Sequence, residues 1–578
     1  MDNKAQTLTT GKQTKPRVLM LAAENGALAG AKVGGMADVI RDLPLALATH
    51  QIAVDIAMPC YGFLVPVAGA HWLCELSVNF AGREEKVTVH KAKHPDLKDS
   101  NCYLFSHPLL NGRTAIYSQG EPSRPFAVDA SKFALFNLAV ATALAMGLTN
   151  TNSRPGNASQ PVITPAPDIV HLHDWHCGFF ALLRAFEPRF KALKNLRCVL
   201  SIHNLAMQGI RPLSGDLSSL SAWFPRLFSQ LSSTQLAAII DPRYPHCVNP
   251  LRAGIVLSDI VHVVSPSYAK EILQPSDLAR GFFGGEGLEH DLRERLNKQQ
   301  LVGILNGCMY ANNGELNSEL NSVEPAGNTP QSGWKALLQQ AQSAILGWQV
   351  GKEQLSSQHF VAHARLQQWQ QQKEASLLMT SVGRLTDQKM MILRYRFPAN
   401  APERCNRGKT VLQVLLEGLA ALVPNGKFLM LGSGDQQISR EFADVGAQQS
   451  NFVFLEGYDE PLSSALYQQG SLFLMPSSFE PCGISQMLAM RAGQLCLVNR
   501  IGGLKDTVTH MENGFVFEGE NVQAQAQALI ATFEAAIALY GSAHWHTMVK
   551  QAKQQRVDWA TQAGHYVKAL YCQQHGTI

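Results

Sequence analysis

Short apolar runs rich in β-branched and aromatic residues alternate with helix-compatible segments along most of this 578-residue chain. This rhythm is typical of parallel α/β sheets, because two parallel strands need a crossover connection that is usually a helix. The runs form two series: RVLMLAA, IAVDIAM, DIVHLH, CVLSIH and IVHVVS in the first, and SLLMTSVG, KFLMLGS, NFVFLEG, SLFLMPS and QLCLVN in the second. The pattern therefore predicts two doubly wound α/β domains. It weakens after Gly307, where a stretch rich in Asn, Ser, Gly and Pro predicts a linker or a surface insertion.

Composition excludes several classes of function. The chain has 49 Lys plus Arg against 45 Asp plus Glu and no block of like charges, so it does not predict nucleic-acid binding. Its eleven cysteines form no CxxC pair, which argues against a zinc site and a disulfide framework and favours reduced thiols in a cytoplasm.

The same sequence does not predict a membrane or secreted protein. The uncharged stretch 133–153 is interrupted by Asn137 and Thr142, so we expect a buried helix there. The apolar run at 18–23 meets Glu24 at once and is too short for a secretory signal. We expect a cytoplasmic protein with no membrane partner, and the sequence does not indicate an oligomeric state.

Polar residues follow the predicted strands at the points where the strands end. Asp174, His203, Arg384 and Glu480 each come directly after, or end, an apolar run. In open parallel sheets, ligands bind beyond the carboxyl ends of the strands. We therefore expect the chemistry of this chain at that edge of its two sheets.

Two loops carry features suited to an anion. In KVGGMADV, Lys32 precedes Gly34 and Gly35 and then a helix, whose N-terminus favours phosphate, although a plain tight turn has the same pattern. In RLTDQK, Arg384 and Lys389 could neutralise a departing diphosphate, although a solvated basic pair is an equal alternative. Together with a carboxylate at Glu480 for sugar hydroxyls, these loops indicate a nucleotide-linked sugar donor.

The motifs closely resemble those of the bacterial glycogen synthase and plant starch synthase family. They run in order through nearly the whole chain: KVGGMADV, HLHDWHCG, SIHNLAMQG, VVSPSYAKEI, GILNG, GRLTDQK, LGSGD, GYDE, PSSFEPCGISQ and RIGGLKDTV. The resemblance implies a GT-B fold of two Rossmann-like doubly wound parallel-sheet domains that face a deep cleft. It also implies transfer of glucose from ADP-glucose to the non-reducing end of an α-1,4-glucan, such as glycogen, with retention of configuration. No cofactor or metal is expected.

With this resemblance, the expected domain division is as follows: a flexible extension at 1–16, an N-terminal domain at 17–306, a linker and helical insertion at 307–375, a C-terminal nucleotide-sugar domain at 376–555, and a helix that crosses back to the N-terminal domain at 556–578.

The resemblance also implies the site residues, motif by motif. The expected catalytic residues are Arg384, Lys389, His203, Glu480 and Asp174, and the expected substrate-binding residues are Lys32, Gly34, Gly35, Asp38, Asn306, Tyr458, Cys482, Gly483, Ile484 and Ser485. In this scheme Arg384 and Lys389 stabilise the leaving diphosphate, Glu480 binds glucose hydroxyls, His203 lies near the 6-hydroxyl, and Tyr458 stacks on the adenine.

Several positions depart from the family pattern. Glu24 and Lys32 are further apart than usual, unusual residues stand at four positions, and a basic segment is inserted after Lys389. The four residues are Lys132, Met309, Met390 and Ser478, and the inserted segment is Arg394–Lys409. These departures leave three hypotheses: an active ADP-glucose-dependent glycogen synthase, which we favour, a transferase of the same fold with a shifted donor or acceptor, and a glucan-binding or regulatory paralogue with little turnover.

Overall fold

The computed structural model describes residues 15–111, 116–117, 126–149, 162–310, 331–350, 356–400 and 406–572. Most of the predicted N-terminal extension and most of the Asn/Ser-rich stretch that follows Gly307 lie outside these residues.

The first sheet has nine strands, and each strand run predicted in the first series is a strand of this sheet. In chain order its strands are β1 (Arg17–Leu21), β2 (Ala53–Pro59), β3 (His71–Phe80), β4 (Arg83–His94), β5 (Leu97–Ser106), β6 (Ile169–His173), β7 (Arg197–Ile202), β10 (Ile260–Val263) and β11 (Leu301–Gly303); β8 (Arg211–Pro212) and β9 (Cys247–Val248) form a separate small pair. The spatial order is β11-β10-β7-β6-β1-β2-β5-β4-β3.

The centre of this sheet is parallel, whereas β3, β4 and β5 pair antiparallel at one edge. The sequence analysis did not predict this edge. Residues of β3 alternate between exposed and buried over its second half, as expected for a sheet with one face toward solvent. Such half-polar strands lack the continuous apolar runs that mark the central ones.

The second sheet has six strands, and all of its pairings are parallel. Its strands are β12 (Leu377–Val382), β13 (Gly426–Gly432), β14 (Phe452–Glu456), β15 (Leu472–Met475), β16 (Leu495–Asn499) and β17 (Gly514–Phe517), in the spatial order β14-β13-β12-β15-β16-β17. The order reverses between β12 and β15, which is the topology of a doubly wound sheet.

Helices connect the strands of both sheets. Those of the first half are α1 (Gly35–Thr49), α2 (Leu64–Val67), α3 (Ala127–Thr149), α4 (Gly178–Phe186), α5 (Leu220–Trp223), α6 (Pro225–Gln230), α7 (Ser233–Ala237), α8 (Pro250–Leu257), α9 (Pro266–Glu271) and α10 (Glu289–Asn297). Those of the second half are α11 (Gln331–Val350), α12 (Ser357–Gln370), α13 (Asp387–Arg394), α14 (Val411–Leu422), α15 (Gln436–Gln448), α16 (Glu460–Gln469), α17 (Ser485–Ala492), α18 (Gly502–Thr507), α19 (Val522–Leu539), α20 (Ala543–Gln554) and α21 (Trp559–Tyr566).

The chain divides into two compact units. Unit 1 comprises Met1–His262, Asn297–Gln300 and Ala563–Ile578, and unit 2 comprises Val263–Leu296 and Leu301–Gln562. Unit 2 thus begins at Val263, earlier than the boundary after residue 306 that the sequence predicts. The physical reason is a set of contacts within unit 2: Ser267 Oγ donates to Asp506 at 2.7 Å, and Gly502 N donates to Glu271 at 2.8 Å. These partners are more than 230 positions apart, so no local pattern reveals them.

The end of the chain is counted with unit 1. There the hydroxyl of Tyr571 lies 2.8 Å from His171 Nδ1, and Arg197 Nε donates to the carbonyl of Leu570 at 2.6 Å. These bonds tie the last described turn to β6 and β7.

Helices α11 and α12 form an integral layer of unit 2 rather than an insertion beside it. Trp334, Leu337 and Leu366 are buried in one apolar cluster with Leu429 and Leu455 of the second sheet. The predicted division at 307–375 therefore cuts through a packed core. The sequence analysis missed this because the Gln-rich surface of α12 hides a buried apolar stripe.

Helix α3 carries the uncharged stretch. Its segment Ala127–Leu148 is long and apolar enough to cross a membrane, but 72% of its apolar stretch is buried within the chain. The Asn137 side chain donates to the carbonyls of Phe133 and His176 at 2.6 and 2.7 Å. Its polar group is thus satisfied inside the protein, as predicted for a buried helix.

Candidate active site

The predicted site residues lie in two groups, one in each unit. Unit 1 holds Lys32, Gly34, Gly35, Asp38, Asp174 and His203, and unit 2 holds Asn306, Arg384, Lys389, Tyr458, Glu480, Cys482, Gly483, Ile484 and Ser485.

The loop after β1 is closed by the buried carboxylate of Glu24. Its Oε2 accepts the backbone N–H groups of Val33 and Gly34 at 2.7 and 2.6 Å, and its Oε1 accepts the hydroxyl of Tyr117 at 2.7 Å. The longer spacing between Glu24 and Lys32 is thus accommodated by a loop folded around an internal anion. The N–H of Gly34, one of the residues expected to bind substrate, donates to Glu24 in this structure.

Lys32 is held by an aspartate of the following helix. Its Nζ lies 2.7 Å from Asp38 Oδ1, and Arg41 approaches the same oxygen at 3.1 Å. Asp38, in the first turn of α1, therefore orients the cation at the end of the loop.

Asp174 follows β6 in a conformation that side-chain-bearing residues rarely adopt. Its φ is 58° and its ψ is −173°, and such strain persists only where the surroundings enforce it, often at functional sites. Its Oδ1 accepts the backbone N–H groups of His203 and Asn204 at 2.6 and 3.3 Å. Burial raises the pKa of Asp174 to about 7, against the lowering effect of those two hydrogen bonds.

His173, the residue before Asp174, packs its ring against those of His171 and His203. His203 Nε2 lies 2.9 Å from His173 Nδ1, and burial lowers the pKa of His203 and of His176 to about 3. Burial also lowers the pKa of His171 and of His173 well below the ordinary range. At neutral pH these rings are uncharged, so they can exchange hydrogen bonds with hydroxyl groups without bringing a charge.

The corresponding group in unit 2 is built on charge. Lys389, in the first turn of α13, places Nζ 2.8 Å from Glu480 Oε2, and Ser477 Oγ donates to the same oxygen at 3.0 Å. Glu480 is 8% exposed. Arg384 lies on the exposed loop that leads from β12 into α13.

A glycine pair supports the segment that carries Glu480. Gly503 N donates to the carbonyl of Glu480 at 3.1 Å. A Cβ atom on Gly502 would lie 1.9 Å from the same carbonyl oxygen, and one on Gly503 would lie 2.1 Å from the carbonyl oxygen of Cys482. Any side chain at either position would displace the Glu480 segment, so the RIGG motif acts as its close support.

The start of α17 lies directly beyond this segment. No side chain caps the helix N-terminus at Ile484, after Gly483, and Ser485 Oγ accepts the hydroxyl of Tyr467 at 3.0 Å. Burial raises the pKa of the Cys482 thiol to about 12, so the thiol is neutral and packs as a small residue.

Asn306 and Tyr458 complete the unit 2 group. The Asn306 side chain is buried, and its Oδ1 makes no hydrogen bond within the described part of the chain. Tyr458 follows β14 and is 54% exposed. Among the residues that the structure describes, no three His, Cys, Asp or Glu side chains are grouped so that they could hold a metal ion.

Comparison with known proteins agrees with the fold and the motifs. The family described as "Starch synthase catalytic domain" matches residues 17–294, and the family described as "Glycosyl transferases group 1" matches residues 404–535. The chain is 30% identical to the glycogen synthase of Gloeobacter violaceus, over 95% of this chain and 97% of that protein. The chain belongs to the glycogen and starch synthase family of glycosyltransferases. The glycogen synthase of Francisella philomiragia is 28% identical, over 94% of this chain and 97% of that protein.

A solved structure shares the fold. The catalytic domain of starch synthase IV from Arabidopsis thaliana, bound to ADP and acarbose, matches with a TM-score of 0.67 and 24% identity, over 96% of this chain and 98% of that chain. This likeness, with the two parallel sheets, identifies the GT-B class of fold.

The structure also explains how this synthase accommodates its unusual residues. Lys132, where the family has Arg, is buried and bonds Asp129 and the carbonyl of Ile116 at 2.9 and 2.8 Å. Met390 is buried in the apolar core of unit 2, and the carbonyl of Met309 accepts a bond from Arg491.

Ser478 connects two segments of the predicted site. Its backbone N–H and its hydroxyl both donate to the carbonyl of Gln388, at 2.7 and 2.8 Å. These two hydrogen bonds to Gln388, the residue before Lys389, connect the RLTDQK loop to the Glu480 segment. The sequence analysis recorded Ser478 only as a departure, and the adjacent Ser477 not at all.

Arg394 and Lys409 of the inserted basic segment are paired with acidic side chains. Arg394 pairs with Glu441 at 2.6 Å and with Asp387, and Lys409 pairs with Glu417 at 2.5 Å. Its described residues border a cavity of about 560 Å³ in unit 2, between α13, α14 and α15. Residues 401–405 of this segment lie outside the described part.

Proposed function

We propose that this glycosyltransferase transfers glucose from ADP-glucose to the non-reducing end of an α-1,4-glucan such as glycogen, with retention of configuration. The observation that carries the proposal is the contact between Lys389 and Glu480, 2.8 Å apart at the start of α17. A cation beside a sugar-binding carboxylate and an uncapped helix N-terminus suit a ligand that joins a glucose to a diphosphate.

In this proposal the diphosphate of the donor is neutralised by side chains, without a metal ion. Lys389 and Arg384 supply two positive charges from one loop, and the first N–H groups of α17 add a partial positive charge. Lys32 and the Gly34–Gly35 backbone are proposed to bind phosphate from their own loop. Because the Gly34 N–H donates to Glu24, the contribution of this loop comes chiefly from Lys32 and Gly35.

The glucose of the donor is proposed to lie against uncharged or neutralised groups. Glu480 accepts hydrogen bonds from the glucose hydroxyl groups once Lys389 turns toward phosphate. The Oδ1 of Asn306, which makes no hydrogen bond within the described part of the chain, is a second acceptor. His203, neutral at pH 7, serves the 6-hydroxyl, and Asp174 holds the backbone that carries His203.

The proposed reaction takes place on one face of the sugar. The bond between glucose C1 and the diphosphate oxygen breaks, and a bond from C1 to the 4-hydroxyl oxygen of the acceptor forms on the same face. The proton of that hydroxyl passes to the leaving phosphate oxygen, so no enzymic nucleophile is needed. Arg384 and Lys389 stabilise the charge that develops on the leaving group.

We further propose that the enzyme works in the cytoplasm, where the nucleotide sugar and the glucan would both be present, and that it acts without a nucleic acid or membrane partner.

The proposal is tested by incubating the purified chain with glycogen and labelled ADP-glucose or UDP-glucose in parallel. We expect ADP-glucose to label the glucan. A second enzyme that cleaves only α-1,4 links from the non-reducing end should then release this label. Arg384→Ala should reduce this incorporation strongly.

Other outcomes separate the alternatives. Transfer from UDP-glucose alone would show that the donor is UDP-glucose and not ADP-glucose. Variants of the Arg394–Lys409 segment would then test whether that segment causes the change of donor. No transfer from either donor, by a folded chain that binds glycogen, would favour the regulatory paralogue. Unchanged turnover in Arg384→Ala would contradict the proposed route for the leaving group.

A further inference from the structure

The loop that follows β14 is fixed by two side chains from the helical layer of unit 2. Residues Gly457 to Asp459 connect β14, which ends at Glu456, to α16 and include the exposed Tyr458. Trp348 of α11 and His359 of α12 both reach this loop. Neither residue belongs to a motif on which the family resemblance rests.

Trp348 holds the backbone at Tyr458 itself. Its indole Nε1 donates to the carbonyl of Tyr458 at 2.9 Å. The same indole lies against Gly457, whose φ is 159°, and a Cβ atom there would come within 2.5 Å of the ring. The indole therefore both bonds the loop and occupies the space beside it.

His359 holds the start of the loop. Its Nδ1 accepts the backbone N–H of Ser356 at 3.1 Å, so its Nε2 carries the proton and donates to the carbonyl of Glu456 at 3.0 Å. The ring also packs edge-on against Trp348, with 5.9 Å between ring centroids. Together the two side chains form a clamp on three consecutive residues, Glu456 to Tyr458.

We propose that Trp348 and His359 are positioning residues that hold Tyr458 ready to stack on the base of the donor nucleotide. This inference rests on the proposed function, in which Tyr458 contacts the adenine. The Tyr458 side chain is 54% exposed, and a backbone that is already fixed reduces the conformational freedom lost when such a ring meets a base. The clamp provides this preorganisation from a helical layer outside the nucleotide site.

The test is the variant Trp348→Phe, which keeps an aromatic ring and removes the N–H donor. We expect the dissociation constant of ADP and the KM for ADP-glucose to rise about three- to tenfold, as for the loss of one hydrogen bond, with kcat unchanged. His359→Phe should act in the same direction.

A matched control lies at the other end of the same strand. Trp369 of α12 donates its indole N–H to the carbonyl of Ser450, which precedes β14, at 3.1 Å. Trp369→Phe removes the same kind of bond from the same layer, and we expect it to lower thermal stability without changing the affinity for ADP.

A double-variant cycle separates positioning from a general loss of structure. In a Tyr458→Ala background the clamp has no ring to position, so Trp348→Phe should change ADP affinity less than twofold. Equal effects of Trp348→Phe with and without Tyr458, or an unchanged affinity in Trp348→Phe, would overturn this inference while leaving the proposed reaction in place. A wild-type chain that binds no ADP would overturn both.

Discussion

The two groups of site residues use different chemistry. In unit 1, Asp174, His171, His173 and His176 are buried and His203 is partly buried. The backbone N–H of His203 donates to Asp174, its ring bonds that of His173, and desolvation pushes the pKa values of these groups toward the uncharged forms. In unit 2, Lys389 and Glu480 form a close ion pair beside a helix start. A neutral, preorganised pocket suits hydroxyl groups, whereas cations near a helix N-terminus suit a diphosphate.

The two groups of predicted site residues therefore differ in the kind of ligand group that each one suits. Substitutions in unit 2 should affect mainly the stabilisation of charge on the leaving group. Substitutions in unit 1 should affect mainly the placement of hydroxyl groups and the dependence of stability on pH.

The largest expected effect comes from removing the Lys389 side chain of unit 2. Lys389→Ala should reduce kcat about 100- to 1000-fold with a smaller change in KM, because it removes a charge that acts on the leaving group. The measurement is the initial rate of glucose incorporation at saturating ADP-glucose. A kcat within threefold of wild type would contradict the proposal that the charge of Lys389 stabilises the leaving group.

The control for this variant is Lys409→Ala. Lys409 also pairs with a glutamate, at 2.5 Å, but both partners are substantially exposed. An exposed pair contributes about 0 to 1 kcal/mol, so this variant should keep its turnover and nearly all of its stability.

A smaller effect is expected at Asp174. Asp174→Ala leaves the N–H groups of His203 and Asn204 without their acceptor, and we expect activity to fall about 10- to 100-fold, as for a loss of about 1 to 3 kcal/mol. Asp174→Asn keeps an acceptor oxygen and should fall less than tenfold, which kcat/KM measurements would show. Equal losses in both variants would mean that the charge, rather than the hydrogen bonds, is what unit 1 needs.

The smallest effect concerns stability and pH in unit 1. The histidines at 171, 173, 176 and 203 have lowered pKa values in the folded chain, so the unfolded chain binds protons first as the pH falls below about 6.5. The free energy of unfolding should therefore fall as the pH falls below about 6.5.

Asp174 acts in the opposite direction. Its pKa is about 7 in the folded chain and 3.8 ordinarily, so the folded chain binds this proton first and gains stability as the pH falls between these values. Four histidines outweigh one carboxyl group, so acidification should destabilise unit 1 overall.

Urea unfolding at pH 7.5 and pH 5.5 measures this balance. His203→Asn should show a smaller loss of stability between the two pH values than wild type. His290→Asn, which removes an exposed imidazole, is the control. Identical losses in wild type and His203→Asn would show that buried imidazoles do not set the pH dependence.

Much of the fold could be predicted from the sequence because the central strands are continuous apolar runs. All ten of the predicted runs are strands of the two sheets. The half-polar edge strands β3 and β4 gave no such signal. The unit boundary at Val263 depends on bonds such as Ser267 to Asp506, between residues 239 positions apart.

The sequence predicts the residues of the candidate site but not the bonds that fix them. A motif places Glu480 after a strand, but not the hydroxyl of Ser477 or the glycines that fix it. Similarly, nothing in the sequence shows that Glu24 folds back on the amides of Val33 and Gly34.

The sequence by itself determined the two α/β series, the order of the motifs and the residue types at the strand ends, since strand periodicity and helix starts are local properties. The tertiary structure alone determines which of these side chains have shifted pKa values, which form ion pairs and which have a fixed backbone. The pKa of Asp174 depends on burial, the pairing of Lys389 depends on a partner 91 positions away, and the clamp on Tyr458 depends on a helix 110 positions earlier. Those properties arise from distance and desolvation in the folded chain, which no stretch of sequence contains.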